Sequence, residues 1–258
     1  MKIKVAASDF DGTLFRNQQI SAEDLTAIKN WRASGNKFGI VTGRAYTMLT
    51  ESFKEFGLET DFAICDNGAI IHDSDGKVIF ETELPKKILL EIIKEPFAAK
   101  SFHFVFETAE KVYCANVKPN SWVLRDKIRW NFPVEIIEPA QIFELGKINQ
   151  FAMAFESTEE AQTVSEFLNR KYGTEIFAQK NTFSLDIVKV GMNKSAGVKN
   201  LLKIRKWDAE VHVIGDESND LMMIRDFGGY TVATAKDFVK NEATIIFDSV
   251  GAMLNHFS

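Results

Sequence analysis

The sequence predicts an α/β protein, a Rossmann-like parallel-sheet core interrupted by an inserted α+β module. Three observations predict it. Short apolar runs alternate with helix-length stretches in the first eighty residues and again in the last seventy. Between about 84 and 187 that rhythm gives way to hairpin-like pairs. The strands of the outer parts end on acidic or glycine-containing turns, at the sheet edge where open α/β sheets bind ligands.

The first strand is Ile3-Lys4-Val5-Ala6-Ala7-Ser8, followed by Asp9-Phe10-Asp11-Gly12-Thr13-Leu14. Ser21 is placed to cap a helix that runs through Trp31 and stops at Gly35, with Asp24 near its positive end. Phe38-Gly39-Ile40-Val41 is a second strand and ends at Thr42-Gly43-Arg44. A helix to about Gly57 and a third strand, Phe62-Ala63-Ile64-Cys65, follow, the latter ending at Asp66-Asn67-Gly68. Such alternation implies parallel pairing with right-handed crossovers.

Residues 70–80 read as a hairpin turning at Asp73-Ser74-Asp75-Gly76, and 102–117 as another. Strands are expected at 148–156 and 183–190, with a helix over 158–171 that Ser157 and Glu160 start as a capping box. A helix over 194–205, a strand at Val211-His212-Val213-Ile214, a helix over 220–226, and strands at 230–233 and Ile245-Ile246-Phe247 complete the pattern. The expected division is therefore a core of 1–83 and 188–258 around a module of 84–187.

Composition narrows the function. A formal net charge of -5 offers no basic face for nucleic acid. No apolar run reaches the ~20 residues of a membrane span, and Met1-Lys2-Ile3-Lys4 lacks the apolar segment of a signal peptide. Cys65 and Cys114 have no metal-ligand spacing and read as reduced thiols of a cytoplasmic protein. An acidic protein acting on an anion must gather positive charge locally, from a metal ion or placed lysines.

Asp9 and Asp11 stand two residues apart at the end of a buried strand. Two acids there are costly unless a cation or a proton-transfer role compensates them. In a parallel sheet, Asp9–Thr13, Thr42-Gly43, Lys194 and the turn Asp216–Asp220 converge on one edge. Oxygen-only ligands favour Mg²⁺, which prefers to share its coordination with phosphate and water.

Read together, Asp9-x-Asp11-Gly12-Thr13-Leu14, Thr42-Gly43-Arg44, Lys194 in Gly191-Met192-Asn193-Lys194-Ser195, and Gly215-Asp216-x-x-Asn219-Asp220 resemble the four motifs of the haloacid dehalogenase-like (HAD) superfamily. Asn67-Gly68-Ala69 and the large insert resemble its Cof-type sugar-phosphatase branch, which carries an α+β cap. The resemblance spans essentially the whole chain and implies a HAD-like core. It implies Asp9 as nucleophile forming an aspartyl-phosphate, and Asp11 as general acid and base. It implies Thr42, through hydroxyl and amide, with Gly43 and Lys194 on the phosphate, and Asn219 reaching the phosphate or orienting Asp216. Mg²⁺ would lie on Asp9, the Asp11 carbonyl and Asp216, with Asp220 either direct or one layer out.

The expected activity is a Mg²⁺-dependent phosphatase acting on small phosphorylated metabolites, sugar phosphates foremost, in a monomer or small homo-oligomer. Phosphoryl transfer to a sugar hydroxyl, as in related mutases, and a non-catalytic phosphosugar sensor are the alternatives. Two departures stand out: Val232-Ala233-Thr234-Ala235 replaces a turn that often carries asparagine, and the end after Ile246 trims the last helix. Asp73-Ser74-Asp75-Gly76 repeats the acid spacing inside a hairpin and reads as a turn. The four histidines, lacking paired metal spacing, read as structural.

Overall fold

The order of strands in the core sheet explains how residues from both ends of the chain meet. A computed structural model describes residues 2–258. The first core segment is β1 (Ile3–Ser8), α1 (Ala22–Ala33), β2 (Lys37–Val41), α2 (Tyr46–Phe56), β3 (Phe62–Cys65), β4 (Ile70–Asp73) and β5 (Val78–Glu81). The inserted segment contributes α3 (Lys86–Lys94), β6 (Phe104–Glu107), β7 (Val112–Ala115), α4 (Trp122–Trp130), β8 (Val134–Ile136), β9 (Gln150–Ala154), α5 (Thr158–Tyr172), β10 (Ile176–Asn181) and β11 (Ser184–Lys189). The chain then returns through α6 (Lys194–Arg205), β12 (Ala209–Ile214), α7 (Leu221–Phe227), β13 (Thr231–Val232), α8 (Asp237–Lys240), β14 (Ile246–Phe247) and α9 (Val250–Phe257).

The core sheet runs β12-β1-β2-β3-β4-β5. Its first three pairings are parallel, and the last two are antiparallel because tight turns join those strands. Alternate residues face opposite layers, as a strand period of two requires. Ala6, Phe38, Ile40 and Ala63 pack toward α1 and α9; Val5, Ala7, Val41 and Ile64 pack toward α6 and α7. The expected strand at 230–233 shrinks to β13, which pairs only with β14 and meets the main sheet through a single bridge, Ile214 to Tyr230.

The second sheet runs β10-β11-β9-β6-β7-β8, antiparallel except for β7 with β8. One face is covered by α3 and α5. The other face, with Val105, Cys114 and Ala152, packs on Val123 and Trp130 of α4 and on Ala45 and Met48 of the core. An apolar seam therefore joins the two sheets. Ion pairs tie its rim: Arg129 holds Glu55 through two bonds of 3.0 and 2.9 Å, and Lys147 holds Glu81 at 2.7 Å.

Several elements depart from expectation. Helices α3 and α4 and strands β8 and β10 had no clear sequence signal. Ser157 caps α5 by accepting the Glu160 N–H at 3.1 Å, but the Glu160 carboxylate turns to Lys100 at 3.0 Å, so the reciprocal half of the box is missing. Ser21 caps α1 as expected, while Asp24 is fully buried and accepts the Gly251 N–H of α9 at 2.6 Å. The last helix is present, at eight residues. Asp73 accepts the N–H groups of Asp75 and Lys77, an ordinary Asx turn.

Helix α6 approaches the Asp66–Gly68 turn unusually closely. A Cβ on Gly197 would lie 2.5 Å from Ile64 Cγ2 and 2.9 Å from Gly68 Cα, and Gly68, at φ +94°, would clash with the Asn193 carbonyl at 2.2 Å. That contact sets the start of α6, hence Lys194, against the ends of β1 and β3. Gly197→Ala is expected to cost about 1–3 kcal/mol through overpacking, read as a lowered urea midpoint; an unchanged midpoint would mean α6 shifts freely at this contact.

Candidate active site

The site forms where β1, β2 and β12 end. Lys194, at the first turn of α6 with Asn193 as cap, is 1 % exposed, and its Nζ donates to Asp9 Oδ1 at 2.6 Å and to Asp220 Oδ1 at 2.7 Å. Asp9 follows β1 directly and is itself buried. The other Asp220 oxygen accepts the backbone N–H groups of Asp216 and Glu217, both at 3.0 Å. Asp216 Oδ1 accepts the Thr13 hydroxyl at 2.5 Å.

Carboxylate oxygens of Asp9, Asp216 and Asp220 lie within 4.8 Å of one another. Burial pushes the Asp9 carboxyl well above the usual carboxylate range; Lys194 pulls it down, and Asp220 and Asp216 push it up. Burial likewise raises Asp216 against the Thr13 hydrogen bond. Burial works against the Lys194 charge too, but Asp220 and Asp9 outweigh it and hold the ammonium above an ordinary lysine. Three acids thus share one ammonium, an excess of negative charge that a cation relieves. The backbone leaves room beside them: Gly12 sits at φ +81°, and a Cβ there would come within 2.4 Å of Asp216 Oδ2. An all-oxygen donor set fits Mg²⁺. Both Asp220 oxygens are engaged, one by Lys194 and the other by the two loop N–H groups.

Asp11 is elsewhere. Its carboxylate is half exposed and held by Arg44 in a two-bond fork, 2.6 and 2.8 Å. Arg44 in turn lies 5.8 Å from the Phe10 ring centroid and 6.0 Å from that of Trp130 on α4. The Asp11 side chain still lines the same cavity as Asp9.

Thr42 and Gly43 form the turn after β2. The Thr42 N–H is already donated to the Ile64 carbonyl at 2.9 Å, so it is not free for a phosphate, contrary to the expectation from sequence. The Thr42 hydroxyl accepts from the Arg44 N–H at 3.2 Å and keeps its own proton to donate, and the Gly43 N–H has no partner among the described residues. Asn219 donates to Asn67 Oδ1 at 3.1 Å, so its amide turns toward the Asp66–Gly68 turn.

Sequence reasoning missed the cap residues at this site. Glu107, Gln150 and Asp186 are buried polar residues in otherwise apolar strands, which was the available signal. The four histidines belong to aromatic packing, for example His72 stacked on Tyr46 at 4.0 Å, and both cysteines are free and buried. Thr234 lines a neighbouring cleft with Asp11 and Asp216. No described helix is long and apolar enough to cross a membrane.

Residues 6–252 match the haloacid dehalogenase-like hydrolase family. The chain belongs to that family. Among its relatives are 5-amino-6-(5-phospho-D-ribitylamino)uracil phosphatases of Bacillus subtilis, 27% identical with 96% of this chain and 90% of that one covered, and of Escherichia coli, 25% identical with 88% and 84% covered. The fold matches a haloacid dehalogenase-like hydrolase from B. subtilis at TM-score 0.86, with 19% identity and 99% and 100% coverage. It also matches a HAD subclass IIB sugar phosphatase at TM-score 0.78, with 22% identity and 98% coverage of each chain. This HAD chain is an enzyme of the phosphatase class.

Removing the ammonium should expose the charge imbalance. Lys194→Met leaves Asp9 and Asp220 buried without their shared partner and is expected to cost about 3–5 kcal/mol of stability, measured by urea unfolding; a loss under about 1 kcal/mol would mean the acids are not charged in the fold.

Proposed function

We propose that this HAD phosphatase is Mg²⁺-dependent and cleaves small phosphorylated metabolites, sugar and polyol phosphates, through an aspartyl-phosphate on Asp9. The carrying observation is the buried Lys194 bridging Asp9 and Asp220 beside Asp216. A cytoplasmic setting, and a monomer or small homo-oligomer, complete the reading.

The placement of the side chains supports this chemistry. Lys194 fixes one Asp9 oxygen and leaves the other to attack phosphorus in line with the departing alkoxide. The Asp9 O–P bond forms as the ester P–O bond breaks. Asp11 gives a proton to the leaving oxygen and then takes one from the water that cleaves the acyl phosphate, returning phosphate and free Asp9. For this Asp11 must leave the Arg44 fork, so Arg44 holds it in a resting position. The Thr42 hydroxyl and the Gly43 N–H donate to phosphoryl oxygens, and Lys194 offsets their charge. Mg²⁺ held by Asp9, the Asp11 carbonyl and Asp216 would supply further neutralisation of the phosphoryl oxygens.

The inserted module, 84–187, serves as the cap that reads the leaving group. It lines a cavity of about 410 Å³ over Asp9 with Trp122, Arg125, Asp126 and Phe183. Aromatic walls beside an ion pair suit a polar leaving group that can carry a flat ring, as the substrate of the named relatives does.

Phosphate release from p-nitrophenyl phosphate and a metabolite panel tests the reading. Asp9→Asn is expected to abolish release, and Asp11→Asn to lower kcat by about 10²–10⁴-fold. Chelation of Mg²⁺ should silence the wild type, and re-addition restore it. An Asp9→Asn protein with undiminished turnover would sink the reading.

A further inference from the structure

Behind the phosphate turn, polar side chains close the seam between the two sheets. Gln150 enters from the cap at the start of β9 and is 1 % exposed. Its Nε2 donates to the Gly43 carbonyl at 2.8 Å and to Glu107 Oε2 at 2.9 Å. Its Oε1 accepts from Asn67 Nδ2 at 2.8 Å, and Asn67 reaches Asp186 Oδ2 at 3.1 Å and accepts from Asn219. One cap side chain therefore grips the backbone of the phosphate turn and, through one amide, meets Asn219.

Beside this bridge Asp66, from the core, faces Glu107, from β6. Both are buried, and neither Asp66 oxygen finds a donor among the ordinary hydrogen bonds. With both Asp66 oxygens unpartnered and each carboxyl acting on the other, burial of the pair favours a form that keeps a proton. Burial pushes Asp66 up to about 8. It drives Glu107 well above its ordinary value as well, with Asp66 adding to the effect. Asp186 on β11, raised by burial to about 6, repels both. The remaining titratable neighbours are the thiols of Cys65 and Cys114, both raised by burial, and Lys194, which acts on Asp186. No described lysine or arginine pairs with Asp66 or Glu107.

Resting on the phosphatase reading, we propose that Gln150 is a positioning residue through which the cap sets the phosphate turn, and that the Asp66–Glu107 pair lets this seam close only with its proton in place. Lifting the cap strips the Gly43 carbonyl of its partner and lets the turn relax, so the Thr42 hydroxyl and Gly43 N–H no longer converge. Water entering the seam also lets both carboxyls ionise. Their values are raised in the closed fold, so the closed seam holds protons that an open or unfolded chain releases. Its contribution is fully present below the ordinary carboxylate range near about 4 and is lost as pH climbs toward about 8.

Wild type, Gln150→Ala and Asp66→Asn decide the matter in three measurements: the Kd of inorganic phosphate with Mg²⁺ by calorimetry, kcat and KM on p-nitrophenyl phosphate, and melting temperature across pH. Gln150→Ala is expected to weaken phosphate binding about tenfold, the scale of a lost buried hydrogen bond, and to lower kcat. Asp66→Asn is expected to flatten the alkaline decline in phosphate affinity, and its melting temperature should gain on wild type as pH rises. Should Gln150→Ala not fold, Gln150→Met, similar in length without the amide, carries the same test. A Gln150 variant that melts earlier yet binds phosphate as wild type does overturns the positioning role. Matching pH profiles for wild type and Asp66→Asn overturn the proton requirement. Wild type that binds phosphate in a Gln150-dependent way without hydrolysing any ester removes the phosphatase reading and leaves this inference standing; wild type that binds no phosphate overturns both.

Discussion

The site depends on one buried ammonium between two buried carboxylates. Lys194 can be charged at 1 % exposure only because Asp9 and Asp220 meet it at 2.6 and 2.7 Å. Those acids, in turn, rely on it for the one positive charge at the centre, with loop N–H groups completing the shell of Asp220. The three come from β1, the start of α6 and the loop after β12, so the pairing is possible only in a sheet that sets β1 beside β12 and packs α6 against them. Charge matching at the centre and strand order in the core are one constraint stated twice.

The surrounding groups divide the work by distance from that centre. Thr13 and the loop amides hold the acids in place. Arg44 keeps Asp11 apart from the cluster and lies under Trp130 of the cap. Gln150 and Asn67 then join the second sheet to the Thr42-Gly43 turn. The acid cluster at the edge of the core is thereby tied to the position of a module built from a different stretch of chain.

Much of the core was legible because its signals are local: apolar strands that end on Asp-x-Asp-Gly, Thr-Gly or Gly-Asp, and a helix that begins at Lys194. The cap was less legible. Helix α4 buries only Val123 and Trp130 of its nine residues, too few for a periodic stripe. Helix α3 does bury Ile88, Leu89 and Ile92, but its start is marked only by Pro85. Among the site residues, Asp9, Lys194, Asp216 and Asp220 were readable from their motifs. The Arg44 fork, the occupied Thr42 amide and the Gln150 bridge are tertiary facts: each depends on a partner far away in sequence, and no spacing rule encodes such a partner.

The split of the core along the chain bears on how the protein matures. Ile3 pairs with Ala209, so β1 has no neighbour on that side until the last fifth of the polypeptide is made. During synthesis an apolar strand would wait with bare amides and carbonyls along one edge, while the intervening module, whose pairings are all internal, can condense first. Nascent chains of this protein are therefore most vulnerable to sticking together in that interval, and occupation of the β1 edge by β12 ends it.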